Sequence, residues 1–289
     1  MFKSVEELIA LCESQNKKIH EIMLEQEMEV TGLSEAEIYA HMDKNLQTME
    51  NALEEGLKGV TSTTGLTGGD AVLLQEYIKS GKSLAGPTLL DAVSKAVATN
   101  EVNAAMGKIC ATPTAGSAGV VPGVLFGLKP RLDPSRKDML NFLLTSGAFG
   151  FVVANNASIS GAAGGCQAEV GSAAAMAAGA TVELAGGTPQ QSAEAFAICL
   201  KNMLGLVCDP VAGLVEVPCV KRNAAGASNA IVSADMALAG VTSRIPTDEV
   251  IEAMYKIGQT MPSALRETGR GGLAGTPTGQ RLKQEIFGD

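Results

Sequence analysis

Apolar residues recur every three or four positions over long stretches of the chain, and that period predicts helices. After Ser34 they fall at Ile38, Met42, Leu46, Met49, Leu53 and Leu57, one stripe along a helix that ends near Gly59. Ser4 with Glu7 and Ser34 with Glu37 fit the S-x-x-E capping box, in which side chains satisfy the free N–H groups of a helix start. Pro87 opens a helix through Ala92, Val93, Ala96, Val97 and Val102 to about Ile109, before Pro113. Asp133 and Pro134 start the next. Thr188, Pro189 and Gln191 supply a cap, a first-turn proline and a capping partner for a helix to about Leu206. Two more run from about Arg222 to Leu238 and from Thr247 to about Thr260. Alternation of the strand kind is confined to Val211–Val217.

The expected fold is therefore mainly α: one domain over residues 1–289, built of helices joined by glycine-rich loops. The acidic stretch to about Leu57 fits a peripheral helical hairpin within it, with no linker to set it apart. Three loops, Thr61–Gly69, Ala111–Gly119 and Ser158–Gly165, combine glycine with hydroxyl residues or alanine.

Composition narrows how such a domain packs. Of 289 residues, 46% are apolar but only 3% aromatic, with 33 glycines and no tryptophan, so the core must rest on Ala, Leu, Val, Ile and Met. A net charge of −9 with 22 scattered Lys and Arg gives no basic footprint for nucleic acid. Met1–Ser14 lacks the order of a secretory signal, and the apolar run Phe142–Ala154 stops at Asn155, short of the roughly 20 residues of a membrane helix. A cytoplasmic protein with no membrane partner is expected.

Two motif-like strings carry no function. Gly81-Lys82-Ser83 lacks the first glycine of a P-loop, since Glu76 stands there. Gly269-Arg270-Gly271-Gly272-Leu273-Ala274 matches a dinucleotide fingerprint in letters, but too little chain follows for a βαβ unit, and a flexible or substrate-facing loop is expected. His20 and His41 lie on the N-terminal helices, and read as surface or packing residues.

Six cysteines stand at 12, 110, 166, 199, 208 and 219. In a reducing compartment, clustered cysteines are metal ligands or catalytic groups rather than disulfides. Cys166 follows Gly164-Gly165, Cys208 precedes Asp209-Pro210 and Cys219 follows Pro218, so each falls at a turn or helix end. Their spacing alone leaves them balanced between buried packing and metal binding. With no C-x-x-C pair, structural zinc is disfavoured. Three thiolates on a four-iron cluster would leave one iron open as a Lewis acid.

The surrounding residues make this specific. Gly161-Ala-Ala-Gly-Gly-Cys166-Gln-Ala-Glu-Val-Gly-Ser-Ala and Cys208-Asp-Pro-Val-Ala-Gly-Leu-Val-Glu-Val-Pro-Cys219, followed by Lys221-Arg222-Asn223, resemble the iron–sulfur L-serine dehydratases. Ser62-Thr-Thr-Gly-Leu-Thr-Gly-Gly-Asp70 and Thr112-Pro-Thr-Ala-Gly-Ser-Ala-Gly resemble that family's other signatures, so the likeness covers nearly the whole chain. It implies a [4Fe–4S] cluster on Cys166, Cys208 and Cys219 and conversion of L-serine to pyruvate and ammonia. Cys12, Cys110 and Cys199 match no ligand position and are expected to pack.

For substrate binding, the hydroxyls and backbone N–H groups of Ser62, Thr63, Thr64, Gly65 and Thr67 are the first candidates. Thr112, Thr114 and Ser117 come next, with Asn155, Asn156 and Asn223 as further hydrogen-bonding groups. Lys221 and Arg222 would pair with a carboxylate or lie on the surface. No side chain stands out as the base for the α-proton. The family also has a smaller region with a Ser-His-Thr-x-Gly-Pro signature, absent here, so the resemblance implies an α subunit with a β partner that supplies a histidine. Competing readings are a cluster-dependent cysteine desulfidase and a non-catalytic scaffold with a structural metal. A pyridoxal-phosphate enzyme is disfavoured, because no lysine has the fitting context.

Overall fold

The computed structural model describes residues 1–288. Among the described residues there are thirteen α-helices and no β-strand: α1 Val5–Gln15, α2 Ile19–Thr31, α3 Glu35–Lys58, α4 Asp70–Lys79, α5 Pro87–Ala104, α6 Val120–Leu132, α7 Arg136–Asn156, α8 Gly161–Gly164, α9 Ser172–Leu184, α10 Pro189–Lys201, α11 Cys219–Leu238, α12 Thr247–Thr260 and α13 Pro277–Phe287. The mainly α expectation holds.

The capping signals behave as their chemistry requires. The Ser34 hydroxyl accepts from Glu37 N at 3.4 Å, and Glu37 accepts from Ser34 N at 2.8 Å, closing a box that starts α3. Thr188 and Gln191 do the same for α10 at 3.2 and 3.0 Å. Ser4 caps α1, but the Glu7 carboxylate reaches back to Lys3 N instead of Ser4 N.

Four boundaries and one element differ from expectation. Helix α5 ends at Ala104, not Ile109, because Met106 turns to φ 64° and Gly107 N closes onto Val102 O at 2.8 Å. Helix α7 starts at Arg136, after a Ser135 cap, rather than at Asp133. Helix α10 stops at Lys201, short of Leu206, where Gly205 (φ 82°) turns the chain. Helix α11 begins at Cys219, ahead of Arg222, so the third cysteine of the trio sits in its first turn. The segment Val211–Val217 is not a strand. Ala212 and Gly213 take φ of 56° and 75°, and Val211 N bonds Val217 O at 2.8 Å, so the alternating residues close a loop on themselves.

Helix α9 runs through the middle, buried along nearly its whole length, and packs against α6, α7, α10 and α11. Its sequence is almost all Ala, Gly and other small residues, which lets neighbours approach closely. Gly179 shows how closely: a Cβ there would lie 2.4 Å from the Phe149 ring. Likewise a Cβ on Gly127 of α6 would come within 2.4 Å of Ala92 on α5. Such contact gives each small side chain many van der Waals neighbours, compensating for the modest area it buries.

The N-terminal helices are part of this core, not a peripheral hairpin. Phe2, Val5, Leu8, Ile19, Leu46 and Met49 are buried in the same apolar cluster as Phe149 and Phe196. Asp248 of α12 secures the start of α1 by accepting from Val5 N and Glu6 N at 2.8 and 2.9 Å. The apolar run Phe142–Ala154 lies inside α7, and among the described residues no helix is long and apolar enough to cross a membrane.

Candidate active site

Two turns distant in sequence bring Cys166 and Cys208 together in one buried region, and Cys219 is buried at the start of α11. Cys166 leads into a π-helical turn, Gln167–Gly171, that precedes α9. Irregular turns of this kind recur at functional sites. Gln167 is wholly buried and satisfied: its side chain donates to Gly164 O and Met254 O at 2.9 and 3.0 Å and accepts from Gly205 N at 2.9 Å. Its own N–H donates to Leu206 O at 2.9 Å, which ties the Cys166 turn to the segment entering Cys208.

Cys208 is held from the other side by the C-terminal loop. Its N–H donates to Leu265 O at 2.8 Å and its carbonyl accepts from Glu267 N at 2.7 Å. Asp209 accepts from Leu273 N at 2.7 Å, and a Cβ on Gly272 would collide with that carboxylate at 2.3 Å. Among the described residues no strand precedes the Gly269–Ala274 stretch, so it is not a nucleotide loop; through Leu273 N it holds the Cys208-Asp209 turn. Cys219, buried at the start of α11, completes the trio. None of the six cysteines forms a disulfide.

The ligand-type atoms of Cys166, Cys208 and Glu169 lie within 4.8 Å of one another, a group able to hold a metal ion. Cys219 falls outside that tight set. The Cys166 thiol is pulled below the usual thiol range, first by hydrogen bonding with Cys208 and then by the Arg222 guanidinium, against the cost of burial. Cys208 is pushed up by bonding with Cys166, then by burial; Cys219 is pushed up by burial first and by the Cys166 charge second. Arg222 is the cation of the site. It reaches Cys166 Sγ at 3.6 Å, donates to Val207 O at 2.8 Å and pairs with Asp209 Oδ1 at 2.8 Å. Lys221, its neighbour, instead pairs with Asp70 on an exposed face.

The other cysteines pack. Burial pushes Cys12 and Cys199 up to about 12, and Cys199 accepts from Asn229 Nδ2 at 3.1 Å. Cys110 is raised by burial alone.

Two of the hydroxyl loops converge on this region through buried carboxylates. Thr114 donates to Glu169 Oε1 and lies 3.1 Å from the Ser117 hydroxyl, which donates to Thr112 O at 3.0 Å. Thr64 donates to Glu216 of the Cys208–Cys219 loop at 2.9 Å, and Ser62 Oγ lies 3.3 Å from Thr64 Oγ1. Thr67 is buried with its hydroxyl unpartnered, while Thr63 and Gly65 are exposed at the loop tip. Asn223 acts as a positioning residue. With Asn100 it donates to Gly116 O and accepts from Gly119 N, all between 2.7 and 3.1 Å, so it fixes the 112–119 loop. Asn155 is not brought in. It is exposed on α7 and donates to Phe151 O of its own helix, and Asn156 donates to Lys3 O.

Sequence reasoning passed over Glu169, Glu216, Asp209 and Asn100, and left Arg222 unassigned. Two of these carried a usable signal. Glu169 stands three residues after Cys166 and Arg222 three after Cys219, the interval that sets side chains on one helical face. Asp209 and Glu216 stand within the Cys208–Cys219 segment, but their partners Leu273 and Thr64, like the contacts of Asn100, are distant in sequence.

Comparison with known proteins shows the family. The family described as "Serine dehydratase alpha chain" matches residues 14–274. The "Probable L-serine dehydratase, alpha chain" of Bacillus subtilis is 73% identical over 288 residues, covering 100% of this chain and 96% of that protein. The "L-serine dehydratase, alpha chain" of Peptoniphilus asaccharolyticus is 45% identical over 288 residues, 99% of each. An "L-serine dehydratase" of Helicobacter pylori is 39% identical over 282 residues, which cover 95% of this chain but 62% of the longer protein.

Proposed function

The chain belongs to the serine dehydratase alpha-chain family, an L-serine dehydratase and hence a lyase, and from that premise we propose a [4Fe–4S] cluster on Cys166, Cys208 and Cys219 as its catalytic centre. The observation that supports this reading is the close pair of buried thiols Cys166 and Cys208 with Arg222 beside them, and a third buried thiol, Cys219, close enough to feel the Cys166 charge.

The donor set fits such a group. Soft thiolates are the preferred ligands of iron–sulfur clusters. Arg222 stabilises the thiolate form of Cys166, and glycine lines the approach, since a Cβ on Gly161 would lie 3.0 Å from Cys208 Sγ. When bound, a cluster with three protein ligands supplies an open iron that acts as a Lewis acid on the substrate hydroxyl.

The chain's own residues then have distinct roles. Dehydration removes the α-proton and the β-hydroxyl, and the aminoacrylate so formed tautomerises and hydrolyses to pyruvate and ammonia. The loops of Ser62, Thr64, Thr67, Thr114 and Ser117 bind the substrate carboxylate through their backbone N–H groups and the unpartnered Thr67 hydroxyl, while Thr64, Thr114 and Ser117 spend their protons on holding the loops in shape. Asn223 and Asn100 keep the 112–119 loop in place, and Glu216 joins the Ser62 loop to the cysteine loop. Thr63, Gly65 and Thr112 contribute to the rim.

No residue of this chain is assigned as the base. We assign it to a histidine of a β subunit. Two points support a partner: the relatives are named alpha chains, and the longer Helicobacter protein has a region beyond the 62% matched here. A reducing cytoplasm, which keeps the trio as thiols, suits the chemistry.

The test is anaerobic reconstitution with iron and sulfide, with and without the β chain. The reading predicts serine-to-pyruvate turnover that needs both chains and decays in air. Full activity of this chain alone would refute the partner, and full activity in an iron-free preparation would refute the cluster.

A further inference from the structure

L-Serine carries a carboxylate, a hydroxyl and an α-ammonium, and the hydroxyl loops and the thiol site account for the first two. An ammonium offers three N–H donors and a charge, and in a buried site it needs an anionic acceptor. We propose that Glu169 is that acceptor and so determines specificity for an amino acid over other hydroxy acids. This rests on the reading of the site as a serine dehydratase.

Four observations carry it. Glu169 is buried, yet among the described residues no Lys, Arg or His pairs with it; Arg222, the nearby cation, is engaged by Cys166 and Asp209. Its Oε1 takes the Thr114 hydroxyl, while Oε2 receives no hydrogen bond. That free oxygen faces the thiols: the point where a Gly161 Cβ would stand is 3.1 Å from Glu169 Oε2, 3.0 Å from Cys208 Sγ and 3.4 Å from Glu267 Oε2. Gly116 closes the opposite side, packed so tightly on the carboxylate that a Cβ there would fall 2.7 Å from Oε1, which leaves Oε2 as the oxygen a ligand can reach. A buried carboxylate without a cation, between the proposed cluster ligands and the carboxylate-binding loop, meets a zwitterion in the required order: hydroxyl at the thiols, ammonium at Glu169, carboxylate at the backbone N–H groups of the 114–117 turn, whose Thr114 and Ser117 hydroxyls are already committed to Glu169 and Thr112 O. Glu267, exposed and with its Oε2 beside the same point, adds negative potential that draws the ammonium in.

The test uses the reconstituted enzyme with its β chain and compares wild type with Glu169→Gln and Glu169→Asp. The probes are L-serine as substrate and 3-hydroxypropanoate, which keeps the hydroxyl and carboxylate but lacks the amine, as competitor. In Glu169→Gln the KM for L-serine is expected to rise on the order of 100-fold with a much smaller change in kcat. The Ki for 3-hydroxypropanoate stays within about threefold, and iron, sulfide and the cluster absorbance are unchanged. Glu169→Asp, which keeps the charge, recovers most of the lost affinity and serves if the Gln variant fails to fold. An unchanged KM overturns the assignment, as does a parallel rise of KM and Ki. Loss of iron would make Glu169 a ligand instead. Wild-type turnover of L-serine, scored in the same assay, separates a failure of this assignment from a failure of the dehydratase reading.

Discussion

Glu169 and Glu183 lie on one continuous helical run and are equally buried, each with 9% of its surface exposed. Their surroundings are opposite. Glu183, near the end of α9, is fully served: Ile19 N donates to it at 2.6 Å, His20 Nδ1 at 2.8 Å and the Thr145 hydroxyl at 2.5 Å. Burial pushes its carboxyl up, but these donors outweigh burial and hold it below the ordinary carboxylate range. Glu169 has the Thr114 hydroxyl alone, a neighbouring like charge at Glu267, and a carboxyl that burial pushes up. A fully paired buried carboxylate is a structural tie between α2, α7 and α9. One left without a cation costs stability, and such sites are kept where a ligand completes them.

The largest expected effect lies at the thiols beside Glu169. Cys208→Ala is expected to abolish iron binding and lower serine turnover by more than about 1,000-fold, whereas its urea midpoint as the metal-free chain stays close to wild type. Iron content and denaturation on the same preparation check both halves. If Cys208→Ala retains iron and activity, the site assignment is wrong.

Stability should separate the two glutamates next. Glu183→Gln removes charge-assisted bonds from His20 and Ile19 N and is expected to cost about 2–4 kcal/mol. Glu169→Gln, which relieves an unpaired buried charge, should cost less than about 0.5 kcal/mol or add stability. Equal losses in urea titration would erase the distinction drawn between them.

Acid titration sharpens the same point. Because the folded-state pKa of Glu183 is lowered, its contribution is complete above the ordinary carboxylate value of 4.5 and disappears as pH falls through the lower folded value. Glu183→Gln should therefore flatten the acid limb of the wild-type stability curve below about pH 4.5. An unchanged acid limb would show that the tie is not made by the carboxylate.

The smallest effects belong to single hydroxyls. Thr145→Val should cost about 1 kcal/mol of stability with no kinetic change, and Thr114→Val should raise the KM for L-serine a few-fold with little loss of stability. The reverse pattern would exchange the roles of the two ends of this helical run.

How far these features could be read from sequence follows from how local they are. Caps at Ser34 and Thr188 depend on residues three apart, and helix α12 on its own apolar stripe, so the mainly helical class was plain. Val211–Val217 misled because alternation does not reveal that Ala212 and Gly213 turn left-handed and close a loop. The proposed cysteine trio rests on family context, since separations of forty-two and eleven residues match no short metal motif, and only Cys166 and Cys208 stand side by side. His20 reads from sequence as a surface or packing residue, and its pairing with Glu183 spans most of the chain. Glu169 lay within reach of helical spacing from Cys166, yet the absence of a partner, which is its distinguishing feature, exists only in three dimensions.

The central claim is that Cys166, Cys208 and Cys219 hold a catalytic iron–sulfur cluster. Its most direct test is iron, acid-labile sulfide and zinc analysis of the anaerobically purified complex, with serine-to-pyruvate turnover measured on the same sample. The account predicts about four irons and four sulfides per chain, rising and falling with activity. Zinc without sulfide, or full turnover without iron, would contradict it.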